Sequence, residues 1–374
     1  MAQSLLFEVY GNVSAKREYL MDVALSGSSS QHRIEGDRWG WQESLERYLS
    51  GVLQGSHVQI TNMELLSGGA IQENWLLDIY VLGGSKAGKH RWVLRTDSLS
   101  VVDVSMSRTD EYAVLKTVHE AGVDVPTPFW FCRDPGVIGR EFFVMQAVGG
   151  TAAGHRLVKD DALVPDRAAL CRELGRNLAK LHSIKPPQQA LGFLPLPTAD
   201  PAQATIEQYL GFLDELPWAF PVIEWGLRWL RLNKPVPVES CLIHRDFRTG
   251  NFMVDQGAVS GILDWEFTAW GDWREDIGWL TAKFWRFGKN ENVAGGVGAL
   301  SDVMAGYSEV CPREISPEEL RYWQVMAHVR WAIVAVQQAE RHLSGKQYSL
   351  ELALTGRLVP EVEYNILTLT GSHP

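Results

Sequence analysis

Between positions 241 and 276 the chain concentrates side chains that can take a proton and hold a cation. The run Cys241-Leu242-Ile243-His244-Arg245-Asp246-Phe247-Arg248-Thr249-Gly250-Asn251 contains H-x-D-x-x-x-x-N. It is followed by Ile262-Leu263-Asp264-Trp265-Glu266, by Gly271-Asp272 and by Asp276. Asp246 and Asn251 stand at opposite ends of one short loop, so one can face an acceptor hydroxyl while the other faces a metal. Asp264 ends a predicted strand, Gly261-Ile262-Leu263, that can lie beside Phe252-Met253-Val254. Its carboxylate then falls next to Asn251, and together they supply the oxygen ligands that magnesium prefers. A metal-dependent hydrolase built on His244, Asp246, Asp264 and Asp276 is a second reading. Such sites draw on several histidines, and this region supplies only His244.

The joint pattern resembles the catalytic core of the protein-kinase-like superfamily and, within it, the aminoglycoside phosphotransferase and choline kinase family. The resemblance implies Asp246 as the catalytic base or acceptor orienter, Asn251 and Asp264 as the Mg2+ ligands, and Glu266 as an assistant to the metal. Arg248 follows Asp246 by two residues, where protein kinases place a Lys. It is assigned to neutralising the phosphate in transfer, with a solvated loop residue as the alternative. His244 is expected to pack and support the loop. His182, in Leu178-Ala179-Lys180-Leu181-His182-Ser183, resembles the family's helix ending in L-H and is expected to anchor the loop from below.

The other half of such an enzyme lies upstream. Leu66 to Asn74 is a glycine-containing turn between two predicted strands. Without Cβ atoms at Gly68 and Gly69 the backbone can approach phosphates closely, and Ser67, Gly68 and Gly69 are expected to cover those of ATP. Kinases present a cation from the third strand to the α- and β-phosphates and pair it with a helix Glu. Here Arg95 stands where most kinases carry Lys, and Glu111 on the next helix is its expected partner. Glu141 to Gly149 resembles the strand-to-hinge segment where adenine docks, through backbone groups at Gln146 and Val148.

Some features depart from the pattern. Arg245 replaces the family's usual Gly, D-W-E stands where protein kinases have D-F-G, and no A-P-E-like segment follows. The expectation is therefore a small-molecule kinase with an α+β, bilobal protein-kinase-like fold. It moves the γ-phosphoryl of ATP, with Mg2+, to the hydroxyl of a small-molecule acceptor. Arg95 leaves room for a nucleotide-binding module without catalysis. Gly83 to Lys89 satisfies G-x-x-x-x-G-K, the start of a P-loop, but His90 replaces the Ser or Thr and a strand follows, so a hairpin turn is expected. Asp264, Glu266, Asp272, Glu275 and Asp276 crowd the region around Asp246, partly offset by Arg245, Arg248 and Arg274. That balance favours a neutral or cationic acceptor over an anionic one.

The elements needed to position these residues are legible as pattern. Residues 1–38 read as an extension, with a short helix over 14–25 and a Ser26 to Ser30 linker. Residues 39–149 read as a strand-rich nucleotide-binding lobe. It opens with a helix from Trp41 to Leu53 and holds strands at 58–66, 74–82, 91–95, 129–133 and 141–148, with a helix over 103–120. Gly149-Gly150 marks a hinge, and 150–374 read as a helical lobe carrying catalysis and acceptor binding. The 374 residues include 45 acidic and 35 basic side chains, a formal charge of −10, which opposes nucleic-acid binding. The four cysteines form no C-x-x-C pair, and no apolar run is long enough to span a bilayer. A cytoplasmic protein with no membrane partner is expected.

Overall fold

Alternation of apolar side chains builds the N-terminal sheet. The computed structural model describes residues 28–54, 56–66, 72–97, 106–216 and 218–371. The expected helix over 14–25 and the turn carrying Ser67, Gly68 and Gly69 lie outside these residues. Helix α1 (Ser28–Val52) is followed by strands β1 (His57–Leu66), β2 (Gln72–Leu82) and β3 (Gly88–Asp97), then helix α2 (Arg108–Glu120). Strand β4 (Pro128–Cys132), the short helix α3 (Pro135–Ile138) and strand β5 (Phe142–Gln146) complete this part. The five strands form one sheet in the order β1-β2-β3-β5-β4, with every neighbour antiparallel.

On β2 and β3, Trp75, Leu77, Ile79, Trp92 and Leu94 point to one face and pack on Leu45 and Leu49 of α1. The period of two then sends Asn74 and Arg95, which are register partners, to the other face. That face is the one Arg95 uses to reach α2. The P-loop look-alike is a turn leading into β3, with Gly83, Gly84 and Gly88 all at positive φ. Ser28 to Ser30, which composition assigns to a linker, are helical. Serine costs a helix little, and the downstream turns are anchored on the sheet through Leu45 and Leu49.

After Gly149-Gly150 helices dominate: α4 (Gly154–Lys159), α5 (Arg167–His182), α6 (Pro201–Asp214) and α7 (Pro221–Leu232). Short strands β6 (Cys241–Ile243), β7 (Phe252–Asp255), β8 (Ala258–Ile262) and β9 (Ala269–Gly271) interrupt them. Helices α8 (Arg274–Leu280), α9 (Leu300–Ser308), α10 (Pro317–Leu343), α11 (Leu350–Gly356) and α12 (Val359–Leu369) finish the chain's described part. This is the α+β, two-part arrangement the pattern predicts. The parts are clasped at the hinge. Thr151 and Val254 exchange backbone hydrogen bonds of 3.0 Å each, and the Ser260 hydroxyl donates to Gly149 O at 2.7 Å. The core also crosses the hinge, since Val114, Leu115 and Val118 of α2 share one cluster with Leu174, Leu178, Phe252 and Ile262.

Helices α5 and α9 approach through glycines. A Cβ on Gly175 would lie 1.9 Å from Val303 O, and one on Gly306 would lie 2.0 Å from Arg172 O. The close crossing brings His182 and Tyr307, both fully buried, together beneath the 244–251 loop. Gly175→Ala should therefore cost about 2 kcal/mol or more in urea unfolding, because backbone must move. Gly211→Ala, on exposed helix surface with nothing within 4 Å, should stabilise by about 0.5–1 kcal/mol. Equal effects of the two substitutions would contradict the close crossing.

Candidate active site

The cationic side of the site grows from β3. Arg95 is buried, and its Nε donates to Glu111 Oε2 at 3.1 Å while Nη2 lies 2.7 Å from Oε1. The same Nη2 is 3.6 Å from Asp264 Oδ1, so the arginine spans the α2 carboxylate and the D-W-E aspartate. Burial alone would weaken the guanidinium's hold on its proton; Glu111 and Asp264 more than offset it. Arg108, which sequence pattern did not single out, is also buried. It pairs with Glu111 and with Asp97 Oδ1 at 2.9 Å. Its spacing of three residues from Glu111 on one helix was the available signal. Glu111 therefore answers two arginines.

The loop after β6 carries Asp246, Arg248 and Asn251. Asp246 is buried, and its carboxylate receives Trp279 Nε1 at 2.8 Å, Arg248 Nε at 3.2 Å and Asn251 Nδ2 at 2.5 Å. An amide edge that faces a carboxylate this closely must be the NH2 edge, which leaves Asn251 Oδ1 as the acceptor end of the amide. Leu263 N donates to Asn251 O at 2.8 Å, so the pairing of the two segments sets Asp264 beside Asn251 as expected. Asp264 holds a left-handed backbone, φ 69°, and its side chain is 38% exposed, unlike the buried carboxylates around it. A carboxylate and an amide on neighbouring backbone segments are the oxygen types that a hard cation takes from protein, completing its shell with phosphates and water. Glu266 accepts from Gln72 Nε2 at 3.0 Å. Burial, then the Asp264 charge, push its carboxyl up to about 7.

What holds the loop is beneath it. Asp276 is fully buried in α8, and its carboxylate accepts from the backbone N–H of His244 at 2.8 Å and of Arg245 at 2.7 Å. His182 Nε2 approaches the same carboxylate at 3.1 Å, and its Nδ1 lies 3.1 Å from the Tyr307 hydroxyl. Burial lowers the His182 pKa, so the neutral ring donates to Asp276 from Nε2. Burial opposes ionisation of Asp276, but the His182 contact and the His244 N–H hold its carboxyl below the usual range. His244 packs its ring on Trp265 at 4.5 Å between centroids. Its Nδ1 accepts from Asp246 N at 3.1 Å and its Nε2 meets Leu263 O at 2.9 Å. Both histidines thus support the loop. Arg245, at the position of the family's usual Gly, has φ 63°, a conformation that glycine adopts without strain.

These commitments dismantle the hydrolase cluster, since His244 directs its ring nitrogens to backbone and Asp276 directs its oxygens to two backbone N–H groups and His182. Among the described residues no group of three or more His, Cys, Asp and Glu gathers around a possible metal position. At the hinge, Gln146 N donates to Thr127 O at 2.9 Å, inside the sheet, so that N–H is not free for adenine. Val148, on the same segment, lies against the β7–β8 hairpin near Gly261. An open cavity of about 600 Å³ lies on the outer face of α2, and none of the residues lining it belongs to the cluster just described.

Replacing Asp276 by Asn removes a charge and turns an NH2 toward one of two backbone donors. Asp276→Asn should cost about 2 kcal/mol or more at pH 7, read by urea unfolding. The carboxyl is depressed in the folded state, so its contribution exists above the unfolded value near 3.9 and fades as pH falls through the folded one. The gap between wild type and variant should accordingly narrow in strong acid. A gap that widens there would contradict the assignment.

Comparison with known proteins places this geometry. Residues 63–312 match the phosphotransferase enzyme family. A putative aminoglycoside phosphotransferase from Ralstonia eutropha superposes with a TM-score of 0.68 at 19% identity, over 88% of this chain and 98% of that one. A choline/ethanolamine kinase family protein from Mesorhizobium loti gives 0.53 at 19% identity, over 87% and 94%. An aminoglycoside phosphotransferase solved with AMP-PNP and hygromycin B gives 0.57 at 13% identity, over 88% and 98%. Acyl-CoA dehydrogenase family member 11 of Gallus gallus is 30% identical over 279 residues, 71% of this chain. Member 10 of Mus musculus is 26% identical over 250 residues, 63% of this chain. The chain spans 33% of the first of these relatives and 22% of the second. The matched segment takes in β2, β3, the hinge, the 244–251 loop and Asp276, and the chain belongs to the phosphotransferase enzyme family with a protein-kinase-like fold.

Proposed function

We propose that the protein is an ATP- and Mg2+-dependent kinase of a small-molecule hydroxyl. The observation that carries the reading is the convergence of Asp246, Asn251 and Asp264 with the Arg95–Glu111 pair. Asn251 bonds Asp246 at 2.5 Å, and Arg95 reaches toward Asp264 at 3.6 Å. In this reading residues 39–149 bind nucleotide and 150–374 carry the chemistry and the acceptor. Ser67, Gly68 and Gly69 cover the phosphates, Arg95 grips them, and the Val148 backbone with the Gln146 carbonyl, rather than its engaged N–H, meets the adenine edge. Asn251 Oδ1 and Asp264 would hold Mg2+, which when bound neutralises phosphate charge.

The transfer forms a bond between the acceptor oxygen and the γ-phosphorus and breaks the bond from that phosphorus to the bridging oxygen of ADP. The acceptor proton passes to Asp246, whose carboxylate the Trp279 and Asn251 donors hold in one orientation. Arg248 lies 3.2 Å from the same carboxylate and can meet the charge of the moving phosphoryl group. The dehydrogenase names belong to much longer relatives, and the stretch shared with this chain is assigned to phosphoryl transfer. A chain that binds ATP but transfers nothing would be the non-catalytic alternative, which the joint presence of Asp246, Asn251 and Asp264 disfavours.

An acceptor panel read by ADP release above the ATPase background tests the reading. Asp246→Asn should keep Mg·ATP affinity and lower acceptor-dependent ADP release by roughly 10²-fold or more; turnover near wild type would remove Asp246 as base. Mg·ATP titration should find binding weakened more by Asp264→Ala than by Asn251→Ala, because a carboxylate brings full charge to a hard cation and an amide only a dipole. Equal or reversed losses would contradict the ligand roles.

A further inference from the structure

Of the carboxylates that crowd Asp246 in sequence, Asp264 approaches Arg95 and Glu266 accepts from Gln72, and the other three are committed within the fold. Asp272 is buried against Arg274 at 2.6 Å, Glu275 pairs with Arg245 at 3.0 Å, and Asp276 holds loop backbone. Two arginines also stand near the base. The Arg248 guanidinium lies 4.3 Å over the Trp285 ring. Arg330, half-buried on α10, lies 4.4 Å over the Trp279 ring and 5.6 Å over Phe267. It donates from Nη1 to the carbonyl of Arg245, and among the described residues no carboxylate pairs with it. The neighbouring aromatic cluster, Phe284, Trp285 and Trp331, adds no carboxylate, and the buried indole N–H groups of Trp285 and Trp331 find no acceptor.

Trp279 joins the two functions: its Nε1 bonds Asp246 at 2.8 Å and its ring face carries Arg330 at 4.4 Å. A guanidinium stacked between aromatic faces, pinned by one N–H and free of a counter-ion, is oriented in advance for a planar or tetrahedral anion. We propose that the acceptor carries an anionic group, carboxylate or phosphate, which binds Arg330 while its hydroxyl meets Asp246. The inference rests on the transferase reading and names the acceptor's class. It reverses the neutral or cationic acceptor that residue counting favours, because ion pairs within the fold neutralise the counted carboxylates. Arg330 is then the residue that sets acceptor specificity.

The test measures kcat/KM from ADP release with four matched sets: short hydroxycarboxylates, hydroxyalkyl phosphates, the methyl esters of the carboxylates, and amino alcohols. One of the two anionic sets should exceed the esters by roughly 10-fold or more, the worth of a charge-assisted hydrogen bond, and which one does so identifies the anion. In Arg330→Gln that preference should collapse, with the loss for the anionic acceptor roughly 10-fold greater than for the ester, whereas Arg330→Lys should keep much of it. A merely structural Arg330 would lower both acceptors together. Esters or amino alcohols matching or beating the anions, or an unchanged preference in Arg330→Gln, would overturn the inference and leave the kinase reading standing. Should Arg330→Gln fail to fold, the wild-type ranking and Arg330→Lys decide. No ADP release above background from any set would overturn the kinase reading and this inference with it.

Discussion

One buried carboxylate organises the helical part of the molecule around the 244–251 loop. Asp276 accepts the N–H groups of His244 and Arg245 and the ring of His182, so a single side chain ties the loop to α8 and to the end of α5. Left alone in that interior it would be expensive, since a buried charge is tolerated only when fully hydrogen-bonded. Its three donors satisfy it, and in return the loop cannot slide. Asp246 inherits that fixity two residues on. The close α5–α9 crossing, which requires Gly175 and Gly306, exists in the same neighbourhood because it brings Tyr307 to His182.

The N-terminal sheet contributes a second fixed point with the opposite charge. Arg95 projects from the face that α1 leaves uncovered and is held by Glu111. Arg108 shares that carboxylate, which balances the pair and ties it to the end of β3 through Asp97. The two fixed points meet at Asp264, near Arg95 on one side and beside Asn251 on the other. The clasp from Thr151 to Val254 keeps the strand-rich and helical parts in register for that meeting.

The sequence disclosed what short spacing controls. Asp246, Asn251 and Asp264 fall together because a loop and a β-hairpin separate them, and hairpin pairing is a local property. The supporting roles of His244 and His182 were legible from the same motifs. Arg108, Trp279 and Arg330 were not, because arginine and tryptophan at those positions read as surface or core until their distant partners are placed. Residue counting also does not register that Asp272–Arg274 and Arg245–Glu275 are ion pairs, because their closure depends on the fold. The serine-rich start of α1 misled as well, since composition alone does not reveal a helix anchored downstream.

The central claim is that these residues move a phosphoryl group from ATP to a small molecule. Incubating the protein with Mg2+, γ-labelled ATP and a mixture of hydroxyl compounds, then separating the products, tests it most directly. The expected product is a labelled organic phosphate whose formation requires Asp246. Label found only in inorganic phosphate, or the same labelled product from Asp246→Asn, would contradict it.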